Sequence, residues 1–278
     1  MVVVQTDAAA EWLTTQARRS LEFAADHSQK AAEFQLKTKL KGVSVESRIH
    51  ASLGPGRVAV DVGAHVGMIS ALYAANFETV WAIEPNPRHA TRLQHVVSAP
   101  ELSNVVVAPL AIGAVAGTAT LSIPRHHGRA VGSLGSLQVP DNVADVEQVT
   151  VPVIRLDDLI PGPIDVLKID AEGFEVDVLT GAARLLSTKP IVIVESEERH
   201  RPGAPAQVRA ILESHGLVGL MVVGTEVLPV SAFDATVHQS ARPSLLGEVP
   251  DGYVNNFIYV PESEEVMWVD RLRELASF

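Results

Sequence analysis

The chain has 278 residues, of which 47% are apolar, so it can build one large domain or two small ones around a buried core. It carries 22 lysine and arginine residues against 33 aspartate and glutamate residues, a formal net charge of −11. This acidic balance, without a long basic segment, argues against a nucleic-acid partner. The absence of cysteine excludes disulfides, thiolate catalysis and cysteine-bound zinc.

The first residues, MVVVQTDAAAEW, lack the basic start and long apolar core of a signal peptide, and no segment reaches ~18 uninterrupted apolar residues. We therefore expect a soluble, cytoplasmic protein without a membrane span. Residues 8–40 contain neither glycine nor proline and place apolar residues among good helix formers. This composition predicts an N-terminal helical extension over residues 1–44.

From about residue 56 onward, short β-branched runs alternate with helix-like stretches. The runs are VAVDV, VWAIE, VVVAPLAI, IDVLKID and IVIVESE. Such alternation predicts an α/β fold whose mainly parallel sheet carries helices on both faces. TATLSIP and VEQVTVPVI predict added strands around a glycine-rich loop, GLVGLMVV and NNFIYVP predict closing strands, and residues 263–278 predict a C-terminal helix.

The stretch DVGAHVG, residues 61–67, joins the first predicted strand to its helix, where open parallel sheets bind ligands. Gly63 can adopt backbone angles closed to other residues, and Gly67 allows helix and strand to approach closely. Glu84 ends the second predicted strand 21 residues after Gly63. That is about the ~20-residue offset at which an acidic side chain receives a ribose hydroxyl, so the pattern predicts an adenosine pocket.

His65 occupies the position of the second glycine in the dinucleotide pattern G-x-G-x-x-G. A bulky side chain there disfavours close backbone approach to a pyrophosphate. The pattern therefore favours S-adenosylmethionine over NAD, although an NAD-dependent oxidoreductase stays an alternative. For His65 itself, a side chain that ties down the turn is the alternative to a direct chemical role.

Several segments, DVGAHVG, AIEPNP, VIRLDDL and LKIDAEGFEVDVLTGAARLL, occur in a familiar order and spacing. Over about residues 45–260 the sequence resembles the FkbM family of S-adenosylmethionine-dependent methyltransferases. The resemblance implies a class I methyltransferase fold, Rossmann-like, over residues 45–262. It also implies O-methylation, often of sugars or secondary-metabolite hydroxyls. A non-catalytic, methyltransferase-like binding protein is a further alternative.

The resemblance also implies roles for individual residues. Asp61 and the two glycines would shape the methionine side of the cofactor, Glu84 would bind the ribose hydroxyls, and Ala111 and Ile112 would line the adenine unless they only pack in the core. The family commonly has asparagine at the position of His65. The expected cofactor contacts are Asp61, Gly63, His65, Gly67, Glu84, Asn86, Ala111, Ile112 and Asp170.

Methyl transfer to a hydroxyl requires alignment of donor and acceptor and removal of the acceptor's proton. Asp170 and Glu195 close apolar strands which the resemblance makes neighbours, so with Glu172 they are expected to converge on one site. The group could orient the acceptor or act as base, bind Mg²⁺ or Ca²⁺, or serve structure alone. Glu197 and Glu198, which continue the acidic run, are expected to be solvated.

The other base candidates are histidines, whose ordinary pKa of ~6.5 suits proton transfer. They are His126 and His127 in the glycine-rich loop and His200 after the fifth strand. The expected partner is a small-molecule or saccharide acceptor. Apolar stripes on both terminal helices, which at the C-terminus comprise Val266, Val269, Leu272 and Leu275, predict a homodimer unless they pack onto their own sheet.

Overall fold

The computed structural model describes residues 45–126, 129–130, 146–240 and 252–277, with only the backbone described at 124–126 and 129–130. The chain divides into two compact units, residues 1–110 and 111–277. The predicted N-terminal extension, residues 1–44, lies outside the described residues. The predicted division into 1–44, 45–262 and 263–278 stays a prediction.

The first unit alternates helices with parallel strands. In chain order its elements are α1 (Val45–Ser52), β1 (Gly56–Val62), α2 (Met68–Ala74), β2 (Phe77–Ile83), α3 (Pro87–Val96), a 3-10 turn (Pro100–Leu102) and β3 (Val105–Ala108). Strand β2 pairs in parallel with both β1 and β3, with Val60 opposite Trp81 and Ile83 opposite Ala108. Ala59, Val60 and Val62 of β1 and Val80, Ala82 and Ile83 of β2 are buried, as expected of parallel strands in a covered sheet.

The second unit contains two sets of strands. Its elements are β4 (Ala111–Ile112), β5 (Gly117–His126), β6 (Arg129–Ala130), β7 (Val146–Ile154), α4 (Leu156–Leu159), β8 (Val166–Ile169), α5 (Glu175–Thr180), α6 (Ala183–Leu186), β9 (Ile191–Glu195), α7 (Ala204–Ser214), β10 (Leu217–Val223), β11 (Glu226–Pro229), α8 (Ala235–His238), β12 (Asn256–Pro261) and α9 (Glu265–Ala276). Two further 3-10 turns span Val230–Ala232 and Glu262–Glu264.

In the larger set of this unit, β8 and β9 pair in parallel, and β12, β10 and β11 continue from β9 in antiparallel pairing. In the smaller set, β5 pairs antiparallel with β7 and β6, while β4 runs parallel to β7. Here Leu121, Ile123 and Val151 form a hydrophobic cluster with Ala111. The strands predicted at TATLSIP and VEQVTVPVI are therefore confirmed as an antiparallel pair.

Helix α9 packs its apolar face onto β10, β11 and β12 of its own chain. Trp268, Leu272 and Leu275 are buried there, whereas Val266 is 78% exposed. Of the predicted stripe, Leu272 and Leu275 are thus used within the chain, Val266 takes no part in this packing, and the homodimer stays a prediction. Over the parts of the chain that the structure describes, no helix has the length and apolarity needed to span a membrane.

Candidate functional site

The glycine turn of the first unit is built from residues with left-handed backbone angles. Gly63 has φ 77°, His65 has φ 52° and Gly67 has φ 93°. The amides of Gly63 and Ala64 both donate to the carbonyl of Ile83, at 2.9 and 3.0 Å, so the turn is fixed to the end of β2. This is the strand-to-helix turn that the sequence predicted.

Gly67 is required for a second, steric reason. A Cβ atom at this position would lie 2.5 Å from Cδ1 of Leu93 on α3. The sequence predicted a close approach between helix and strand at Gly67, whereas the close neighbour in the structure is the side chain of a following helix. Any larger residue at 67 would combine an unfavourable φ with a clash against a buried leucine.

Glu84 follows β2 directly and is only 5% exposed. One carboxylate oxygen accepts from the His65 amide at 2.8 Å, and the other accepts from the Asn86 amide at 2.7 Å. Since a carboxylate oxygen has two lone-pair sites, each oxygen retains capacity for one more donor. The side chain therefore orders the glycine turn and can still receive hydroxyl groups.

The side chains around Glu84 are locally anchored. The His65 ring packs edge-on against the His89 ring at 4.1 Å between centroids, and His89 Nδ1 lies 3.8 Å from a Glu84 oxygen. Asn86 caps α3, because its side-chain oxygen accepts from the Arg88 amide at 3.0 Å. His65 thus packs against a neighbouring helix, which agrees with the interpretation that it ties down the turn.

Asp61, at the end of β1, is fully buried and accepts from Ser70 Oγ at 2.6 Å. A buried carboxylate beside the turn can pair with a cationic group such as an ammonium. In the second unit, Ala111 and Ile112 form β4 and are both buried. Ala111 packs in the cluster of the smaller strand set, so the structure gives it at least a core role.

The carboxyl ends of β8 and β9 bring two of the predicted carboxylates to the same edge. The two strands pair in parallel, with Ile169 opposite Val194. Asp170 and Glu195, the next residue after each of these, therefore lie beside each other along the sheet edge. Asp170 lies 3.6 Å from Lys168 Nζ and its side chain is 36% exposed. Glu195 accepts from Asn255 Nδ2 at 2.8 Å. The predicted adjacency of the two strands is confirmed.

The expectation of a solvated Glu197 was wrong, because this side chain is fully buried. Arg199 donates through Nε at 2.6 Å and Nη2 at 2.7 Å, and Tyr253 Oη donates to the same carboxylate. Burial acts to raise the pKa of Glu197, but the bonds from Arg199 and Tyr253 outweigh it, so the pKa lies below its ordinary value. Glu198 is partly exposed and accepts from the Gly203 amide at 2.7 Å.

His200 lies beside this buried pair. Burial, and secondarily the positive charge of Arg199, lower the pKa of His200, while Glu197 and Asp170 act in the opposite direction. A neutral imidazole at neutral pH can accept a proton. Of the other predicted histidines, His126 is described only by its backbone in β5, and His127 lies outside the described residues.

The segment that carries Glu197 and His200 is braced by Gln239. Its amide nitrogen donates to the carbonyls of Ser196 and Val254, at 2.9 and 2.8 Å, and its oxygen accepts from the Glu198 amide at 2.8 Å. The sequence offered no local signal for these contacts, because Gln239 lies 41 residues from Glu198 and 43 from Ser196, and Tyr253 lies 56 residues from Glu197.

The metal hypothesis is not supported by the geometry. Among the described residues, no three histidine, aspartate or glutamate side chains form a group that could hold a metal ion. Asp170, Glu172 and Glu195 therefore do not make such a group, and their partners are instead protein cations and amides at Asp170 and Glu195. We assign no Mg²⁺ or Ca²⁺ site to them.

The family profile "Methyltransferase FkbM domain" matches residues 61–217, more than half of the chain. No curated protein matches the chain at a significant level.

The chain is similar to three solved structures at low identity. A methyltransferase FkbM from Methylobacillus flagellatus KT is 16% identical with a TM-score of 0.49, and the match covers 88% of this chain but only 58% of that protein. A precorrin-6y C5,15-methyltransferase from Geobacter metallireducens GS-15 is 12% identical with a TM-score of 0.42, over 80% and 88% of the two chains. An O-methyltransferase from Bacillus cereus in complex with SAH is 12% identical with a TM-score of 0.38, over 93% and 92%.

The parallel β1 to β3 unit, its glycine turn and the acidic residue after β2 are the parts of a class I methyltransferase fold, which confirms the predicted fold class. The family profile, rather than the low-identity structures, carries the assignment to a family. The chain belongs to the FkbM methyltransferase domain family.

Proposed function

We propose that the protein transfers a methyl group from S-adenosylmethionine to a hydroxyl of a sugar, glycoconjugate or secondary metabolite. The observation that carries the proposal is the position of Glu84, whose carboxylate accepts from the His65 amide in the glycine turn and from the Asn86 amide at the start of α3. Family membership supports the reaction class. The family resemblance implies methylation of hydroxyl groups, which supports oxygen as the atom that receives the methyl group.

The residues of the first unit fit this cofactor chemically. The Glu84 carboxylate, whose oxygens each accept one protein amide, suits two ribose hydroxyls, and the buried Asp61 at the end of β1 suits a role in shaping the methionine side. At position 65 a pyrophosphate would need a glycine, so that the backbone can approach it closely, but the chain has the imidazole of His65 there. This combination favours an adenosine without phosphates and disfavours NAD.

When bound, S-adenosylmethionine supplies an activated methyl group, so the protein has to orient the acceptor hydroxyl and take its proton. Asp170 is the proposed orienting group or base, with Glu172 and Glu195 as further contacts. Its ion pair with Lys168 fixes the carboxylate, and its partial exposure leaves it open to an acceptor. His200 is the second candidate for the base, because its lowered pKa keeps the ring neutral at neutral pH.

Two measurements test the proposal. Calorimetry should detect binding of S-adenosylmethionine and S-adenosylhomocysteine and no binding of NADH; the reverse result would establish the NAD-dependent alternative. Incubation with methyl-labelled donor and a small-molecule extract of the protein's own organism should yield a labelled product, whose identification names the acceptor. Cofactor binding without any labelled product from this extract and from a panel of hydroxylated acceptors would favour the non-catalytic binding protein.

The proposed partners are the small-molecule or saccharide acceptor and a second copy of the chain. The case for a homodimer is weaker than the sequence indicated, since Trp268, Leu272 and Leu275 of α9 are buried within the chain. Light scattering at micromolar concentration decides this point, because a monomer has a mass of 29.7 kDa. The cytoplasmic location stays a prediction.

A further inference from the structure

The turn that carries Glu172 and directly follows Asp170 has an unfavourable backbone conformation. The amide of Phe174 donates to the carbonyl of Ala171 at 3.2 Å, and the two residues between them, Glu172 and Gly173, have φ 45° and 101°. Positive φ at both central residues is typical of type I′ turns, which favour glycine, asparagine and aspartate. Glutamate at the first of these positions is unfavourable, so the turn needs support from its surroundings.

Glu175, the first residue of α5, supplies such support. Its side chain is buried, with 1% of the residue exposed, and Oε1 accepts from the Gly173 amide at 2.8 Å. The carboxylate thus reaches back from the start of a helix to the turn before it, as the glutamate of a capping box does. Its second oxygen is buried, and no hydrogen-bond partner for it occurs within the described chain.

Among the described residues, Asp170 is the charged side chain that raises the pKa of Glu175 further after burial. Burial is the main cause that raises the pKa of Glu175 to about 7, Asp170 adds to the rise, and the amides of Gly173, Glu175 and Ala171 oppose it. The charged groups on the packed helices are engaged elsewhere. On α5, Asp177 pairs with Arg201 at 2.7 Å; on α6, Arg184 donates to the Asp157 and Ile160 carbonyls; and on α7, Arg209 pairs with Glu213 at 2.7 Å.

We propose that Glu175 is a positioning residue for the methyl transfer proposed above: by holding the Gly173 amide it fixes the turn that presents Glu172, next to Asp170, to the acceptor. The effect of Glu175 on catalysis rests on the proposed function. Its effect on the conformation of the turn does not. Glutamine at 175 keeps an oxygen that can accept from Gly173, whereas alanine removes it.

The test compares Glu175→Ala, Glu175→Gln and, as a matched control on the same helix, Asp177→Ala. Hydrogen exchange of peptides covering residues 166–176 measures the protection of the backbone amides in the turn, and it requires no methyl acceptor. Protection should fall at least tenfold in Glu175→Ala, and it should stay within threefold of wild type in the other two variants. In wild type, protection should fall as the pH rises from 4.5 through about 7, because a carboxyl whose pKa is raised by burial disfavours the closed turn when it ionises, and this pH dependence should be absent from Glu175→Gln.

Methyl transfer from labelled S-adenosylmethionine to the acceptor recovered from the extract provides the second measurement. Glu175→Ala should lower kcat at least tenfold, Glu175→Gln should restore most of it, and calorimetric affinity for S-adenosylhomocysteine should change less than twofold in both. Unchanged protection in Glu175→Ala, or equal losses in Glu175→Ala and Asp177→Ala, would overturn the inference. A wild-type protein that binds no S-adenosylmethionine overturns the proposed function instead, and the exchange measurement then still decides the role of Glu175 in the turn.

Discussion

The role of Glu84 can be isolated by combining a substitution with a change in the ligand. Alanine at 84 would remove the proposed ribose contact, but it would also leave the buried amides of His65 and Asn86 without their acceptor. Each such loss costs about 1–3 kcal/mol, so reduced affinity in Glu84→Ala alone would not identify a ribose contact. Glu84→Gln is milder, yet its amide group would turn a donor toward one of the two amides.

A thermodynamic cycle removes this ambiguity. Calorimetry of wild type and Glu84→Gln is carried out with S-adenosylhomocysteine and with its 2′,3′-dideoxy analogue, which lacks both ribose hydroxyls. A hydrogen bond to a charged group contributes about 1.5–3 kcal/mol, so wild type should prefer the hydroxylated ligand by roughly ten- to a hundredfold or more. In the variant this preference should shrink at least tenfold, whatever the damage to the turn, because turn damage affects both ligands alike.

Glu78 provides the control, since it lies on β2, the strand that Glu84 directly follows, but is exposed. Glu78→Gln should retain the full wild-type preference between the two ligands. An equal preference in wild type and Glu84→Gln would refute the ribose contact even if both ligands bound the variant weakly.

Three further predictions address the turn, the base and the buried glutamate. Gly67→Ala should lower the free energy of unfolding by about 1–3 kcal/mol, because of the positive φ and the clash with Leu93, and a denaturation midpoint within error of wild type would contradict this. Asp170→Asn should lower turnover about 10² to 10⁴-fold with little change in cofactor affinity; near wild-type turnover would move the base role to His200. For Glu175, burial raises the folded-state pKa from 4.5 to about 7, so the folded protein holds a proton that the unfolded chain releases, and stability falls as pH rises through this window. Glu175→Gln should remove this loss, gaining about 3 kcal/mol relative to wild type between pH 4.5 and 8 in chemical denaturation; parallel stability curves would show that the carboxyl does not titrate there.

Much of the fold could be predicted because the strands are short, apolar and bounded by polar residues. The run IDVLKID became β8 with Asp170 directly after it, and IVIVESE became β9 with Glu195 at its end. Once the two strands were expected to be neighbours, the placement of both carboxylates at one edge followed from parallel pairing. The same logic placed Glu84 after β2, at the glycine turn.

The contacts that could not be predicted depend on residues distant in sequence. Glu197 resembled a solvated charge because its neighbours in sequence are also charged. Its carboxylate is instead bonded by Tyr253, which follows β10 and β11 along the chain. Glu175 was missed for a different reason. Its position at a helix start after Gly173 indicates a possible bond to the turn, but its burial follows from the packing of α5 against α7, which a single sequence does not reveal.

Gln239 has a consequence for how the protein ages. Its side-chain amide uses both of its hydrogen-bonding groups on the backbone. The nitrogen donates to the Ser196 and Val254 carbonyls, and the oxygen accepts from the Glu198 amide. Deamidation would convert the donating nitrogen into an acceptor that faces two carbonyl oxygens, so both of those bonds would become repulsive at once. Hydrolysis of this one side chain would therefore weaken the link that Gln239 makes between Ser196 and Val254, next to the segment that carries Glu197 and His200.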